Sequence, residues 1–251
     1  MPDPIFDHPR LARVYDALEG DRSDLDAYVD LVRDDGARRV LDVGCGTGTF
    51  ACRVAADGIA VVGVDPAAAS VAVARGKPGG DAVTWIVGTV PDVAVDASYR
   101  AWFDLATMTA NVAQVFVEDV DWLTTLRAVH RCLRPGGLLA FETRKPADRA
   151  WERWTKERSH QVVDTAEDGA VEDWVEVTSV DGALVTFESP TVFRADGERI
   201  ESTSTLRFRD EDELCATLVA AGFVDLDLGD LPRAPERGWL VRARSAPRPG
   251  A

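Results

Sequence analysis

The residues best suited to chemistry in this sequence are three glycines at alternate positions, Gly44, Gly46 and Gly48, with Asp42 just before them. They follow an apolar run, residues 40–43, which is typical of a strand buried on both faces of a parallel sheet. Because glycine has no β-carbon, it permits positive φ and lets the backbone approach a ligand closely. The pattern predicts a strand-to-helix turn that holds polar groups of a small molecule at the carboxyl edge of a sheet.

A further acid stands at the tip of the next apolar run. Residues 59–64 predict a second buried strand, and Asp65 follows it directly. A carboxylate in that place accepts hydrogen bonds from both hydroxyls of a ribose with charge-assisted strength. The glycine turn and Asp65 together predict a site for a cofactor that contains adenosine.

Two phosphate-binding patterns do not fit this turn. The dinucleotide fingerprint Gly-x-Gly-x-x-Gly needs a third glycine where this chain has Thr49. A P-loop needs a Gly-Lys-Ser or Gly-Lys-Thr sequence, and none follows the glycines. A plain turn with no ligand would normally need one glycine rather than three, so ligand binding is the favoured interpretation.

Alternating strands and helices must position these residues. Apolar runs predict strands at residues 40–43, 59–64, 83–87, 102–108, 138–143, 223–228 and 238–243. Helical periodicity is present at residues 50–56, 67–76, 119–133 and 210–221, and two more helices are predicted between residues 9 and 35. This alternation favours an α/β sheet that is mostly parallel.

Two motifs within this order are similar to those of a known family. Asp42 and the three glycines match position by position the Asp-x-Gly-x-Gly-x-Gly motif of the class I S-adenosylmethionine (SAM)-dependent methyltransferases. A helix, the segment Leu-Arg-Pro-Gly-Gly at residues 133–137 and a strand resemble a second signature of that family. The resemblance implies the fold class: a Rossmann-like α/β sheet of seven strands with helices on both faces, and an inserted small antiparallel β-sheet.

The same resemblance implies the cofactor, SAM, which would leave as S-adenosylhomocysteine. The residues expected to bind it are Asp42, Gly44, Cys45, Gly46, Gly48, Asp65, Pro66, Gly88, Thr89, Val90, Met108, Tyr15 and Arg13. Thr89 departs from the family, whose members often have an acid there for the adenine amino group. No catalytic residue is identified; the candidates Tyr15, Asn111 and His160 each also suit an ordinary structural role.

The segment 146–209 has a different pattern, with alternating strands and the turn pairs Asp181-Gly182 and Asp196-Gly197. It predicts an antiparallel β insertion, serving either as a lid over the acceptor site or as the surface of a homodimer. The chain then divides into five parts: a helical cap (1–36), a SAM-binding core (37–145), the insertion (146–209), the rest of the core (210–245) and a disordered tail (246–251).

Composition limits the partners. The net charge of −15, with no long basic block, disfavours nucleic acid, because binding to phosphates depends on lysine and arginine. We expect no membrane partner and a cytoplasmic protein, since the sequence shows neither a run of about eighteen apolar residues nor a charged leader with an apolar core. The four cysteines form no Cys-x-x-Cys pair and no cluster with the three histidines, so no metal site is expected.

The sequence thus predicts an enzyme that transfers a methyl group from SAM to an O or N atom of a small organic acceptor. The absence of an Asp-Pro-Pro-Tyr or Asn-Pro-Pro-Tyr motif after the fourth strand argues against methylation of DNA bases. Two alternatives stay open: an NAD(P)-dependent oxidoreductase on the same sheet plan, and a non-catalytic SAM-binding protein that dimerises.

Overall fold

The computed structural model of the protein describes residues 2–247, and its elements follow in chain order. The strands are β1 (Arg39–Val43), β2 (Ala60–Asp65), β3 (Val83–Val87), β4 (Phe103–Met108), β5 (Leu133–Arg144), β6 (Gln161–Thr165), β7 (Gly169–Asp173), β8 (Glu176–Asp181), β9 (Leu184–Glu188), β10 (Thr191–Phe193), β11 (Glu198–Ile200), β12 (Thr203–Arg207), β13 (Phe223–Asp230) and β14 (Gly238–Ser245). The α-helices are α1 (Pro4–Asp7), α2 (Pro9–Glu19), α3 (Asp26–Asp34), α4 (Thr49–Ala55), α5 (Ala68–Gly76), α6 (Val90–Val95), α7 (Asp119–Cys132), α8 (Lys156–Ser159) and α9 (Glu211–Ala220). Short 3₁₀ helices connect several of these elements, among them Ser23–Leu25 and Val112–Val115.

A central sheet of seven strands confirms the predicted fold class. Its order is β13-β14-β5-β4-β1-β2-β3. Strands β1 to β5 run parallel to one another, while β14 pairs antiparallel with both β5 and β13. Because parallel strands all end at one edge, the residues that follow β1, β2, β3, β4 and β5 gather on the same side of the molecule.

Helices cover both faces of this sheet. One apolar layer, built around Trp122 and Leu126 of α7, also contains residues of α6 and α9. The opposite layer is built around Tyr28 and Val29 of α3 and Phe50 of α4. Burial on both faces explains why the inner strands read as continuous apolar runs in the sequence.

The inserted segment differs from the prediction, because it forms two small antiparallel sheets rather than one. Their orders are β11-β10-β7-β6 and β12-β9-β8. Three long stretches of alternating residues in the insertion each form two strands instead of one. At each interruption the chain leaves one small sheet and enters the other. The breaks fall at Trp174–Val175, at Ser189–Pro190 and at Glu201–Ser202. Pro190 has no backbone N–H and cannot continue a ladder, and the Trp174 side chain turns into the interior.

The cap packs against the insertion as well as against the core. Leu11 and Val14 of α2 form an apolar cluster with Val171 and Phe193 of the four-stranded sheet. Arg10 lies over the Phe193 ring, 3.7 Å from its centroid, and donates a hydrogen bond of 2.9 Å to Asp168. The cap and the four-stranded sheet therefore form one continuous layer.

The predicted tail, 246–251, falls mostly outside the described residues. Within it, Ala246 donates a backbone hydrogen bond of 3.0 Å to the carbonyl of Gly222, so order extends at least one residue past β14. Residues 248–251 are not described. Among residues 2–247, no helix has the length and apolar character that crossing a membrane requires.

The amino edge of the central sheet depends on Asp104, and this generates a stability prediction. Its carboxylate accepts backbone hydrogen bonds from Arg38 and Arg39 at 3.0 and 2.9 Å, and one from Nε of Arg134 at 2.8 Å. Replacing Asp104 with Asn should lower the free energy of unfolding by about 2–3 kcal/mol, because the lost bonds involve a charged acceptor. Urea denaturation at neutral pH measures this value.

The matched control for that measurement is Asp227→Asn, which removes an exposed carboxylate paired with Arg242. Its effect should stay below about 1 kcal/mol, as is usual for ion pairs at the surface. Equal losses in the two variants would contradict the role given to Asp104.

Candidate functional site

A cleft of about 770 Å³ lies at the carboxyl edge of the central sheet. Its volume is within the roughly 300–1,000 Å³ of sites that bind small molecules. The core contributes Val43, Gly44, Cys45, Gly46, Thr47, Thr49, Phe50, Val64, Asp65, Pro66, Ser70, Gly88, Thr89, Val90, Pro91, Thr109, Ala110, Val112, Val115, Phe116, Val117, Asp121, Thr124 and Thr125. The cap contributes Pro2, Asp3, Phe6, Tyr15 and Arg22, and the insertion contributes Thr203 and Thr205.

The three glycines of the turn have positive φ but different neighbours. A β-carbon on Gly44 would lie 2.6 Å from the side chain of Val112, and one on Gly48 would lie 2.4 Å from the ring of Trp85. A β-carbon on Gly46 would meet nothing within 4 Å. Gly44 and Gly46 line the cleft, whereas Gly48 precedes α4 and is required for packing. The prediction that Gly48 binds the ligand directly is therefore not supported by its position.

Asp65 lines the cleft and holds the turn in place. Its two carboxylate oxygens accept backbone hydrogen bonds of 2.8 Å each, one from Gly46 and one from Ala67. Burial raises the pKa of Asp65, and the two hydrogen bonds counteract only part of that shift. Since a carboxylate accepts about four hydrogen bonds, it can still receive two hydroxyl groups from a ligand.

Asp42 lies below the turn and does not reach the cleft. It is 1% exposed, one oxygen accepts a hydrogen bond of 3.2 Å from Thr107, and the other oxygen has no hydrogen-bond partner. Burial raises the pKa of Asp42 to about 7. Asp42 is thus a buried residue of β1 and not one of the residues that line the cleft.

The residues predicted after the third strand all line the cleft, but the hydroxyl of one of them already donates a hydrogen bond within the protein. Gly88, Thr89 and Val90, which follow β3, line it, as does Pro66 just after the neighbouring strand β2. The backbone N–H and the hydroxyl of Thr89 both donate to Asp92, at 2.8 and 2.7 Å, and so begin α6. The Thr89 hydroxyl therefore faces a ligand as an acceptor only.

The cap places one of its two predicted residues in the cleft. Tyr15 lines the cleft, and burial raises the pKa of its phenol. Arg13 does not, because its guanidinium is bound to Asp168 of the insertion by two hydrogen bonds of 2.9 Å. Arg22 lines the cleft instead, with Asp24 at 3.1 Å. The prediction for Arg13 is thus corrected. Sequence reasoning missed Arg22 because it lies in the short connection after α2, outside any periodic pattern.

A polar link between cap and turn was also missed. Asp16 of α2 accepts hydrogen bonds from the hydroxyl of Thr47 at 2.6 Å and from Nζ of Lys77 at 2.5 Å. Lys77 also donates to Thr49 at 2.8 Å. The side chains of Thr47 and Thr49 therefore bond to the N-terminal helical segment. Neither threonine is the N-cap residue of α4, which is Gly48. Nothing in the sequence pairs residues so far apart.

Four remaining predictions have mixed outcomes. Cys45 lines the cleft, and its contact with the cofactor stays a prediction. Met108 is fully buried in the apolar core. His160 lies in the insertion with its Nε2 2.8 Å from Glu172, and Asn111 points its amide at Glu142, 3.4 Å away. Met108, His160 and Asn111 are not among the residues that line the cleft.

In the described part of the chain no three His, Cys, Asp or Glu side chains are grouped to hold a metal ion.

Known proteins resemble this chain in sequence and in fold. Residues 40–137 match the family described as a methyltransferase domain. The cypemycin N-terminal methyltransferase of Streptomyces sp is 30% identical over 151 residues, which cover 59% of this chain and 60% of that protein. The chain spans between 42% and 60% of the length of the curated relatives that it matches.

Two solved structures share the fold over nearly the whole chain. An S-adenosylmethionine-dependent methyltransferase from Clostridium acetobutylicum has a TM-score of 0.72 at 17% identity, covering 96% of this chain and 99% of the other. An amino pentose methyltransferase from Micromonospora echinaspora, solved with SAM bound, has a TM-score of 0.67 at 23% identity. It is covered to 97%, and this chain to 92%.

The burial of Asp42 predicts an unusual pH dependence of stability. With a native pKa of about 7 and an unfolded value near 4, the native state holds a proton that the unfolded state has lost between those limits. Stability should therefore fall as pH rises through this window. Asp42→Asn should remove roughly 2 kcal/mol of the change in unfolding free energy between pH 5 and 7.5.

Urea denaturation at the two pH values gives the comparison. The control is Asp57→Asn, since Asp57 is an exposed carboxylate paired with Arg33. If Asp42→Asn keeps the pH dependence of the unaltered protein, Asp42 is ionised in the native state and the assignment is wrong.

Proposed function

We propose that the chain, which contains a methyltransferase domain and has the fold of class I SAM-dependent methyltransferases, transfers a methyl group from SAM to a small organic acceptor. The acceptor atom would be nitrogen or oxygen. The observation that carries the proposal is the placement of the Gly44–Gly46 backbone and the Asp65 carboxylate on one open cleft.

The cleft suits SAM by its shape and by its donors and acceptors. The space next to Gly46 is open where a β-carbon would point, so a ligand can lie directly against the turn. Asp65 would accept the ribose hydroxyls, and Pro66, Thr89 and Val90 would surround the adenine. At the other end the Arg22 guanidinium would bind the carboxylate of the amino acid part, beside Tyr15.

When bound, SAM supplies a methyl group made electrophilic by a sulfonium. The protein's own contribution would be to align the acceptor with that methyl group and to exclude water, which together account for much of the catalysis of such a displacement. Tyr15 on the cap and Thr203 and Thr205 on the insertion are placed to form the walls that do this. That placement supports the use of the insertion as a lid; a homodimer through it stays a prediction.

The names of similar proteins support a small or flexible acceptor with a reactive amine. One relative is named as the cypemycin N-terminal methyltransferase, and one structural neighbour as an amino pentose methyltransferase. Other relatives are named as O-methyltransferases of ubiquinone biosynthesis, so these names alone leave oxygen open.

The direct test combines ligand binding with turnover. S-adenosylhomocysteine should raise the melting temperature of the protein, because a ligand that binds only the native state stabilises it by mass action. NAD should have no such effect. Incubation with SAM carrying a labelled methyl group and a broad acceptor set should then yield labelled product. Stabilisation by NAD alone would point to an oxidoreductase, and binding without any transfer would point to a non-catalytic protein.

The different neighbours of Gly46 and Gly48 give a sharper prediction. Gly46→Ala should weaken S-adenosylhomocysteine binding at least tenfold, because its methyl group would enter the open cleft. Its free energy of unfolding should fall only by the strain of an L-residue at positive φ, about 1–2 kcal/mol. Gly48→Ala, the matched control, should cost more stability, since its methyl group would overlap the Trp85 ring. Calorimetry and thermal denaturation measure the two effects, and normal affinity in Gly46→Ala would contradict the assigned site.

A further inference from the structure

The cleft extends beyond the residues assigned to SAM. Those residues lie at the ends of β1, β2 and β3 or belong to the cap. In the central sheet β4 lies next to β1, on the side away from β2. Residues that follow β4 therefore line a different part of the cleft, which α7 and β12 complete. This part, called the β4 side, consists of the lining residues within 109–117, 121–125 and 203–205.

The β4 side borders the place proposed for the cofactor. The side chain of Val112 packs directly on the glycine turn, since a β-carbon on Gly44 would lie 2.6 Å from it. A molecule held on the β4 side is therefore next to one that lies against the turn. Methyl transfer needs the two reacting atoms within about 3.5 Å of each other. The β4 side is thus the part of the cleft that suits the acceptor.

The wall formed by the segment after β4 is apolar and firmly held. Residues 115–117 contribute two valines and a phenylalanine to the cleft. Arg209, which is 2% exposed, donates to two backbone carbonyls of this segment at 3.3 and 2.6 Å, and Arg207 donates to a third at 2.9 Å. Neither arginine is among the residues that line the cleft. The wall therefore offers an apolar surface to a ligand, and these two cations are engaged by its backbone.

Two hydroxyls of the β4 side have no partner within the described protein. Thr109 and Thr125 line the cleft and are 6% and 5% exposed. Neither hydroxyl forms a hydrogen bond with any group in residues 2–247. A buried polar group that stays unbonded costs stability, so these two hydroxyls suit the polar groups of a ligand in the cleft.

A single charged side chain, Asp121, lines the β4 side in the described part of the chain. It is exposed, and its carboxylate forms no ion pair or hydrogen bond within residues 2–247. Asp119, two residues earlier, differs, because Arg207 lies 2.8 Å from it. An anionic group of a ligand would find no cation on the β4 side and would be repelled by Asp121, whereas a positively charged group would be attracted.

We propose that the β4 side binds the acceptor and selects a molecule with an apolar body and a positively charged group, which Asp121 faces at the mouth of the cleft. This inference rests on the proposed function and names the substrate class of the same site. The methylated atom stays open, because the charged group that pairs with Asp121 need not be the group that reacts. The hydroxyls of Thr109 and Thr125 would bond to polar groups of the acceptor that lie deeper in the cleft.

The experiment measures how small probes bind to the full-length protein saturated with S-adenosylhomocysteine. Each probe set shares one apolar ring: cyclohexylamine, cyclohexanol and cyclohexanecarboxylate form one set, and phenethylamine, 2-phenylethanol and phenylacetate form the other. Titrations followed by saturation-transfer NMR at pH 7 and low ionic strength give the dissociation constants. We expect the amine to bind most tightly and the carboxylate most weakly, at least fivefold apart, because one ion pair at an exposed site changes affinity by up to about fivefold.

Two substitutions at Asp121 test the source of this order. Asp121→Asn should reduce the ratio between amine and carboxylate to twofold or less, and Asp121→Lys should reverse it. The matched control is Asp212→Lys, which changes an exposed aspartate in the first turn of α9. It alters the net charge of the protein as much as Asp121→Lys does, but Asp212 does not line the cleft, so the order should stay that of the unaltered protein. Affinity for S-adenosylhomocysteine should stay within threefold in all three variants.

Turnover gives a second readout that a merely structural role would not produce. With SAM that carries a labelled methyl group, an amine probe that is methylated should show a KM raised at least twofold in Asp121→Asn. Its kcat should be unchanged, because Asp121 would hold the acceptor and take no part in the displacement.

Each outcome decides the matter. A carboxylate that binds as tightly as the amine, no binding of either amine at millimolar concentration, or an order that Asp121→Lys leaves unchanged would overturn the inference while S-adenosylhomocysteine still binds. An equal shift in Asp212→Lys would assign the preference to overall charge and would overturn it too. Should Asp121→Lys fail to fold, the ratio in Asp121→Asn decides. A protein that does not bind S-adenosylhomocysteine would overturn the proposed function, and this inference with it.

Discussion

The two hydrogen bonds that Asp65 accepts from the backbone of Gly46 and Ala67 determine the shape of the cleft. They join the turn after β1 to the turn after β2, so that two loops from neighbouring strands are fixed to the same carboxylate. A neutral side chain could not hold both amides with the same strength, because charge-assisted hydrogen bonds are about twice as strong as neutral ones. The same carboxylate faces the cleft, so the group that shapes the site is also available to a ligand.

The cap and the insertion both contribute residues to the cleft, and they are tied to each other and to the turn. Asp168 of the insertion binds both Arg10 and Arg13 of α2. From the same helix, Asp16 binds Thr47 next to the turn. One helix thus connects the insertion to the loop on which the ligand would lie.

Sequence reasoning recovered the parts of the structure that depend on local pattern. The seven core strands follow from apolar runs, and the turn at Gly44–Gly46 follows from glycine spacing, because both are properties of neighbouring residues. The break of each inserted strand into two was missed, because alternation continues through Trp174 and only tertiary packing turns that side chain inward. The same limit applies to Arg13, whose position depends on a partner 155 residues away.

Buried acids at the two ends of the parallel strands have pKa values that are shifted in opposite directions. At the amino end burial acts to raise the pKa of Asp104, but hydrogen bonds from Arg39, from the Arg38 backbone and from Arg134 outweigh it and lower the pKa. At the carboxyl end burial prevails, and the pKa values of Asp42, Asp65 and Glu142 are all raised. Well-paired acids stabilise a fold, whereas incompletely paired ones cost stability and persist where a ligand can complete their bonding. The acids whose pKa burial raises therefore lie at the edge where the cleft opens, whereas the acid at the opposite edge holds the strands together.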